Sequence, residues 1–151
     1  MIEKTTTTLT KDEYREKIQS FENTISEYPE AKFGDDACPL KHTFADGMYI
    51  REITMPKEMF IASKIHKTDH PYFVMSGDVS VVTEEGVVRI KAPYWGITKA
   101  GTKRALYTHE ETVWCTVHAT KETDLKLIEE EVIAKDFNEL EHKERTCLGQ
   151  P

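Results

Sequence analysis

The stretch SKIHKTDHPYFVMSGDVSV, Ser63 to Val81, sets His66 and His70 just ahead of an apolar run that ends at Gly77. In an extended strand alternate side chains share a face. Phe60, Ala62, Lys64 and His66 would then point one way, and Met59, Ile61, Ser63 and Ile65 the other. His70 follows the polar KTD and precedes Pro71, where a turn would deliver the chain to its next strand. The two imidazoles are therefore either metal ligands meeting at a barrel mouth or ordinary polar residues where a strand meets a turn.

Outward from this stretch the texture is that of short strands. MYIREITM, EMFIASKIH, YFVMSGDVSVVT, GVVRIKAP, GITKA, KRALYT and TVWCTVHAT follow one another between Tyr49 and Thr120, separated by Pro, Gly or charged pairs. Such spacing predicts an antiparallel sandwich or barrel. VSVVTEEGVVRIKAP is the clearest hairpin, its turn using Gly86 for a positive φ.

Helical spacing appears on both sides of the strands. Tyr14, Ile18, Phe21 and Ile25 recur at three- and four-residue intervals, and Thr10 with Glu13 forms a capping box ahead of them. This predicts an amphipathic helix ending before Pro29, then a loop over PEAKFGDDACPLKHTFADG. A second helix is predicted through Leu125, Ile128, Val132 and on towards Phe137. The organisation is one folded domain of 151 residues: 1–48 helix and loop, 49–120 barrel, 121–151 helix and tail.

Composition narrows the function. With 27 acidic against 20 basic residues the net charge is −7, and the Lys and Arg residues are scattered, which argues against nucleic-acid binding. The three cysteines, Cys38, Cys115 and Cys147, have no C-x-x-C spacing, so neither a disulfide framework nor a cysteine zinc cluster is expected. The amino-terminal stretch has no apolar h-region and no segment approaches a membrane span. A cytoplasmic product without membrane partners is expected.

A metal needs three or four ligands converging on one ion at about 2.0–2.3 Å. TVWCTVHAT supplies the third candidate in His118, which by alternation shares a face with Thr116 and Trp114. His42, His109 and His142 are read as surface or hydrogen-bonding residues, His109 sitting in an apparent turn. Lys64 and Arg104 fall on strand faces, where a buried cation needs an anion, a carboxylate or a water-filled cavity. Arg104 is suited to grip a carboxylate or phosphate at two points, or to make a structural ion pair with a glutamate. Cys115, alternating with Trp114, is expected to pack on an apolar side rather than act as a nucleophile. Cys38 and His42, four apart in CPLKH, form half of a metal site or pin a loop to the barrel, and since the sequence lacks the other half, pinning is expected.

Met59 to Thr120 resembles a cupin, a small antiparallel jelly-roll barrel. Counted back from Gly77, the first cupin motif puts His70 at its glutamate position, His66 at its second histidine and Lys64 at its first. The second motif, P-x-G-x-x-H, is matched by KAGTKR, with Lys99 for the proline, Gly101 in place and Arg104 for the histidine. CPLKHTFADGMYIREI, HKTDH, APYWGITKAGTKR and TVWCTVH are similar to single-domain cupin-like proteins of tailed bacteriophages, over about two-thirds of the chain.

The resemblance implies a homo-oligomer and a divalent ion, Zn, Fe, Mn or Ni undistinguished, held by His66, His70 and His118. Two of the usual ligand positions are basic, and fixed cations repel a divalent ion unless an anion intervenes. Metal-dependent lyase, hydrolase or dioxygenase chemistry is one expectation. A metal-free phage accessory or virion-associated protein, in the host cytoplasm or on the particle, is the alternative. A third is a pocket that sequesters a small anion through Lys64, Arg104 and Tyr94. The reaction and its catalytic residues are not specified by the sequence.

Overall fold

The computed structural model describes residues 8–33 and 37–140; His142 and Cys147 lie outside them. Helix α1 (Lys11–Ser26) opens with the expected capping box, Thr10 Oγ1 accepting from the Glu13 amide at 3.2 Å and Glu13 Oε2 from the Thr10 amide at 2.8 Å. The strands are β1 (Leu40–Ala45), β2 (Met48–Met55), β3 (Phe60–Ala62), β4 (Ile65–His66), β5 (His70–Ser76), β6 (Asp78–Thr83), β7 (Gly86–Lys91), β8 (Tyr94–Thr98), β9 (Ala105–Thr108) and β10 (Thr112–Ala119). Helix α2 (Leu125–Val132) and a two-residue strand β11 (Ile133–Ala134) follow.

The sheets are antiparallel, in the orders β1-β2-β10-β5-β8 and β3-β9-β6-β7, with β11-β4 as a small third. Counting β2, β3 and β5 to β10 as barrel strands one to eight, the two large sheets read 1-8-3-6 and 2-7-4-5, the jelly-roll order. Met55, Val74, Val79, Val81, Leu106 and Trp114 from the facing sheets form the core between them. Period-2 alternation is what lets each strand give one face to this core.

The outer face of the smaller sheet is covered by α1. Tyr14 and Ile18 are buried against Ala105, with Phe21 and Val82 beside them. The buried Tyr14 hydroxyl donates to the Lys103 carbonyl at 2.7 Å, and burial pushes its pKa up to about 12. Lys103 Nζ pairs with Glu22 at 2.7 Å, closing the same joint.

Three expectations are corrected. The loop predicted over 29–47 contains strand β1, and its pairing with β2 carries the barrel sheet to the amino-terminal side of residue 49. EMFIASKIH is not one strand but β3 and β4, because Ser63 and Arg104 bond each other at the break: Ser63 N donates to Arg104 O and Arg104 N to Ser63 Oγ, both at 2.8 Å. The second helix stops at Val132, where the chain extends to pair Ile133 with His66 and Ala134 with Ile65. Those backbone bonds replace the helical ones that the apolar spacing alone predicted.

Candidate metal centre and ligand cavity

The two sheets leave between them a cavity of about 380 Å³, with α2 across one end. β10 lines it with Trp114, Thr116 and His118, as alternation predicted. Across the larger sheet His118 stands opposite Tyr49 of β2, Thr116 opposite Arg51 and Tyr72, and Trp114 opposite Ile53 and Val74. His70, at the start of β5, pairs with Thr98 of β8. Tyr49, His118, His70 and Thr98 thus form one row at the end of the sheet nearest α2.

His66 completes the group from β4. Its carbonyl accepts the Gly101 amide at 2.8 Å, and Gly101 holds the positive φ, +82°, that the turn requires. The ring centroids are 4.2 Å apart for His66–His70, 4.6 Å for His70–His118 and 5.3 Å for His66–His118. One nitrogen from each of the three lies within 4.8 Å of the others, so the group could hold a metal ion.

The electrostatics keep these rings neutral, the form whose lone pair binds a metal. Burial, reinforced by the repulsion that protonated His70 and His118 would exert and by the charges of Arg51 and Lys64, pushes His66 down to about 2. Burial, with His70 and Arg51, pushes His118 down to about 4. Burial also lowers His70, against the opposing pull of its bond to the Thr68 carbonyl. A carbonyl only accepts, so the 3.1 Å contact puts the His70 proton on Nδ1 and leaves the Nε2 lone pair for another partner. His118 Nε2 meets Thr116 Oγ1 at 3.1 Å, while its Nδ1 is buried without a hydrogen-bond partner. An orphaned buried polar atom costs about 1–3 kcal/mol, which a bound ion would remove. The donor set therefore fits a metal.

Around the histidines the wall is basic. Lys64 lines the cavity and reaches α2, its Nζ 2.6 Å from Glu129 Oε1. Arg104 lines it just before β9, its guanidinium 4.9 Å from the centre of the Tyr72 ring. Tyr72 in turn stacks on Trp114 at 4.7 Å. Tyr94, the third expected anion contact, does not line the cavity; it is 46% exposed on β8. Arg51 does line it and was not singled out from sequence, although MYIREITM alternates so that Tyr49, Arg51, Ile53 and Met55 share one face. Tyr49 was missed as well: it stacks on His118 at 5.9 Å and its hydroxyl meets His42 Nδ1 at 2.6 Å.

His42 lines the cavity beside Tyr49, and Cys38 is buried in the core. His109 lies away from the triad, its Nε2 2.6 Å from Ser80 Oγ. Cys115 sits half-buried on the opposite face of β10 from the cavity, beside Glu52 rather than in an apolar layer, and burial raises its thiol pKa. Both described cysteines, Cys38 and Cys115, are free thiols. No described helix is long and apolar enough to cross a membrane.

No protein-family model matches the sequence, and no curated protein does either. Solved structures do. A cupin domain from Bordetella pertussis Tohama I is similar at 14% identity and TM-score 0.44, over 56% of this chain and 94% of that one. An acetylacetone dioxygenase from Acinetobacter johnsonii is similar at 16% identity and TM-score 0.46, over 61% and 74%. A putative ethanolamine utilization protein Q from Salmonella typhimurium LT2 is similar at 15% identity and TM-score 0.48, over 61% and 79%. The strand order of the chain itself is that of an antiparallel jelly-roll barrel, with the three histidines facing its cavity.

Proposed function

We propose that this protein binds a divalent metal ion through His66, His70 and His118 and binds or acts on a small anionic molecule in the adjoining cavity. The observation that carries the reading is the convergence of three buried or half-buried neutral imidazoles, one with an orphaned nitrogen. When bound, such an ion supplies Lewis-acid activation of an oxygen ligand or, if redox-active, oxygen chemistry. Within the chain, the Thr68 carbonyl orients His70, Tyr49 backs His118, and α2 with Ile128 and Val132 screens the group from bulk water. Lys64 and Arg104 supply positive charge for the anion. Lyase, hydrolase and dioxygenase activities are all consistent with a three-histidine site.

The test is thermal unfolding of chelated protein with Zn, Fe, Mn and Ni added singly. A rise in midpoint that chelator reverses, and that His118→Ala abolishes, is expected. Midpoints indifferent to every metal would overturn the reading.

A second reading, an oligomeric phage accessory or virion-associated protein, draws on one observation. Phe73, Met75, Trp95 and Ile97 are exposed together on the outer face of β5 and the edge strand β8. Exposed apolar edge strands are commonly covered by a partner. Light scattering of wild type and Trp95→Glu decides it: a defined oligomer weakened by the substitution supports assembly, and a monomer throughout removes it.

A further inference from the structure

Helix α2 is too short to stand alone. It has eight residues, of which only Ile128 and Val132 are buried, and an isolated helix under about 12–15 residues is marginal in water. Asp124 caps its start, Oδ1 accepting from the Lys126 amide at 2.9 Å and the Leu127 amide at 3.2 Å. Its last turn has no basic residue of its own to offset the helix dipole. The cation comes instead from Lys67, whose Nζ donates to the Glu130 carbonyl at 2.8 Å and pairs with Glu139 at 2.9 Å.

Lys67 follows His66 directly, and the same short segment makes further ties to α2 and β11. The Lys67 amide donates to the Val132 carbonyl at 2.7 Å, His66 pairs in register with Ile133, and Lys64 Nζ lies 2.6 Å from Glu129 Oε1. β4 is itself two residues long, and among the described residues its one sheet partner is β11. From the other side, Ile128 and Val132 pack with Tyr49, whose ring stacks on His118. Two of the three histidines thus meet this element, His66 by strand pairing and His118 through Tyr49. The segment that carries His66 and the segment that closes the cavity hold each other in place.

We infer that α2 and β11 form a lid whose closure is coupled to metal binding: an ion that draws His66 to His70 and His118 orders residues 125–134 over the cavity, and Lys67 is the positioning residue that joins the two events. This rests on the reading of the three histidines as a metal centre and adds how access to that centre is regulated. Such coupling is reciprocal, so a lid that docks less well holds the ion less tightly.

Hydrogen exchange of the full-length protein, first chelated and then loaded with zinc, tests it, with zinc content measured on the same samples. In the chelated protein residues 125–134 are expected to exchange about tenfold or more faster than the core strand β6. Zinc is expected to slow them about tenfold or more while the exposed edge strand β7 stays within about threefold. Lys67→Met, which keeps an apolar stem and removes the charge, is expected to weaken zinc binding about threefold or more in chelator competition and to speed exchange in α2. Residues 125–134 as protected as β6 before zinc is added, or unmoved by zinc that is bound, would overturn this inference alone. Wild-type zinc affinity in Lys67→Met would overturn it as well. A wild-type protein that takes up no zinc or other divalent metal sinks the metal centre and the lid together.

Discussion

The Gly101 amide donates to the carbonyl of His66 at 2.8 Å, tying together the two segments that resemble the cupin motifs. The same clasp is made a second time nearby, where Asp69 Oδ1 accepts from the Ala100 amide at 2.7 Å. The position of the His66 ring thus depends on a turn more than thirty residues away in sequence.

That turn requires glycine. At φ +82° a side chain is strained, and a Cβ on Gly101 would lie 3.2 Å from Arg15 Nη2 and 3.4 Å from Leu140 Cδ1. Gly101→Ala is expected to cost about 1–2 kcal/mol in denaturant unfolding. It should also loosen metal retention against chelator by displacing His66. Unchanged stability would show that the turn relaxes freely.

Gly77, the fixed point of the first motif, is constrained harder. Its φ is +104°, and a Cβ there would lie 2.5 Å from the Glu111 carbonyl oxygen and 2.6 Å from Thr112 Cα. Both are backbone atoms, so neither can swing aside. Gly77→Ala is expected to destabilise by about 3 kcal/mol or more, read from the unfolding midpoint. A loss below about 1 kcal/mol would contradict the close approach.

Thr108 is fully buried and joins β9 to the turn before β3: its Oγ1 donates to Pro56 O at 2.6 Å and accepts from Met59 N at 2.9 Å. Thr108→Val keeps the shape and removes both bonds. A loss of about 1–3 kcal/mol is expected in chemical denaturation, the cost of an orphaned donor and acceptor.

Arg89 holds Asp78 by two parallel bonds across the hairpin, Nε to Oδ1 at 2.9 Å and Nη2 to Oδ2 at 2.7 Å. This lowers the Asp78 pKa in the folded protein. A depressed carboxyl pKa stabilises the fold above its unfolded value, near 3.8, and that stability is lost as pH falls through the folded value. Asp78→Asn should therefore lose stability at neutral pH and show a shallower decline below pH 4. Parallel pH profiles for wild type and variant would refute the linkage.

The inner face of β10 was legible because two-residue alternation is a local rule, and it placed Trp114, Thr116 and His118 together. The hairpin at Gly86 was legible for the same reason, its φ of +121° matching the turn. What escaped was set by partners far away in sequence. The break after Ala62 comes from reciprocal bonds between Ser63 and Arg104, and the helix end at Val132 from pairing with His66. β1 escaped because a segment rich in Pro and Gly gives no strand period, and its order comes from β2. Tyr94, on the edge strand β8, lies outside the cavity.

The most direct measurement is elemental analysis of purified, untagged protein beside His66→Ala and His118→Ala. The account predicts near-stoichiometric divalent metal in wild type and its loss in both variants, since the three imidazoles form one centre. No metal in wild type after reconstitution, or full occupancy in either variant, would contradict it.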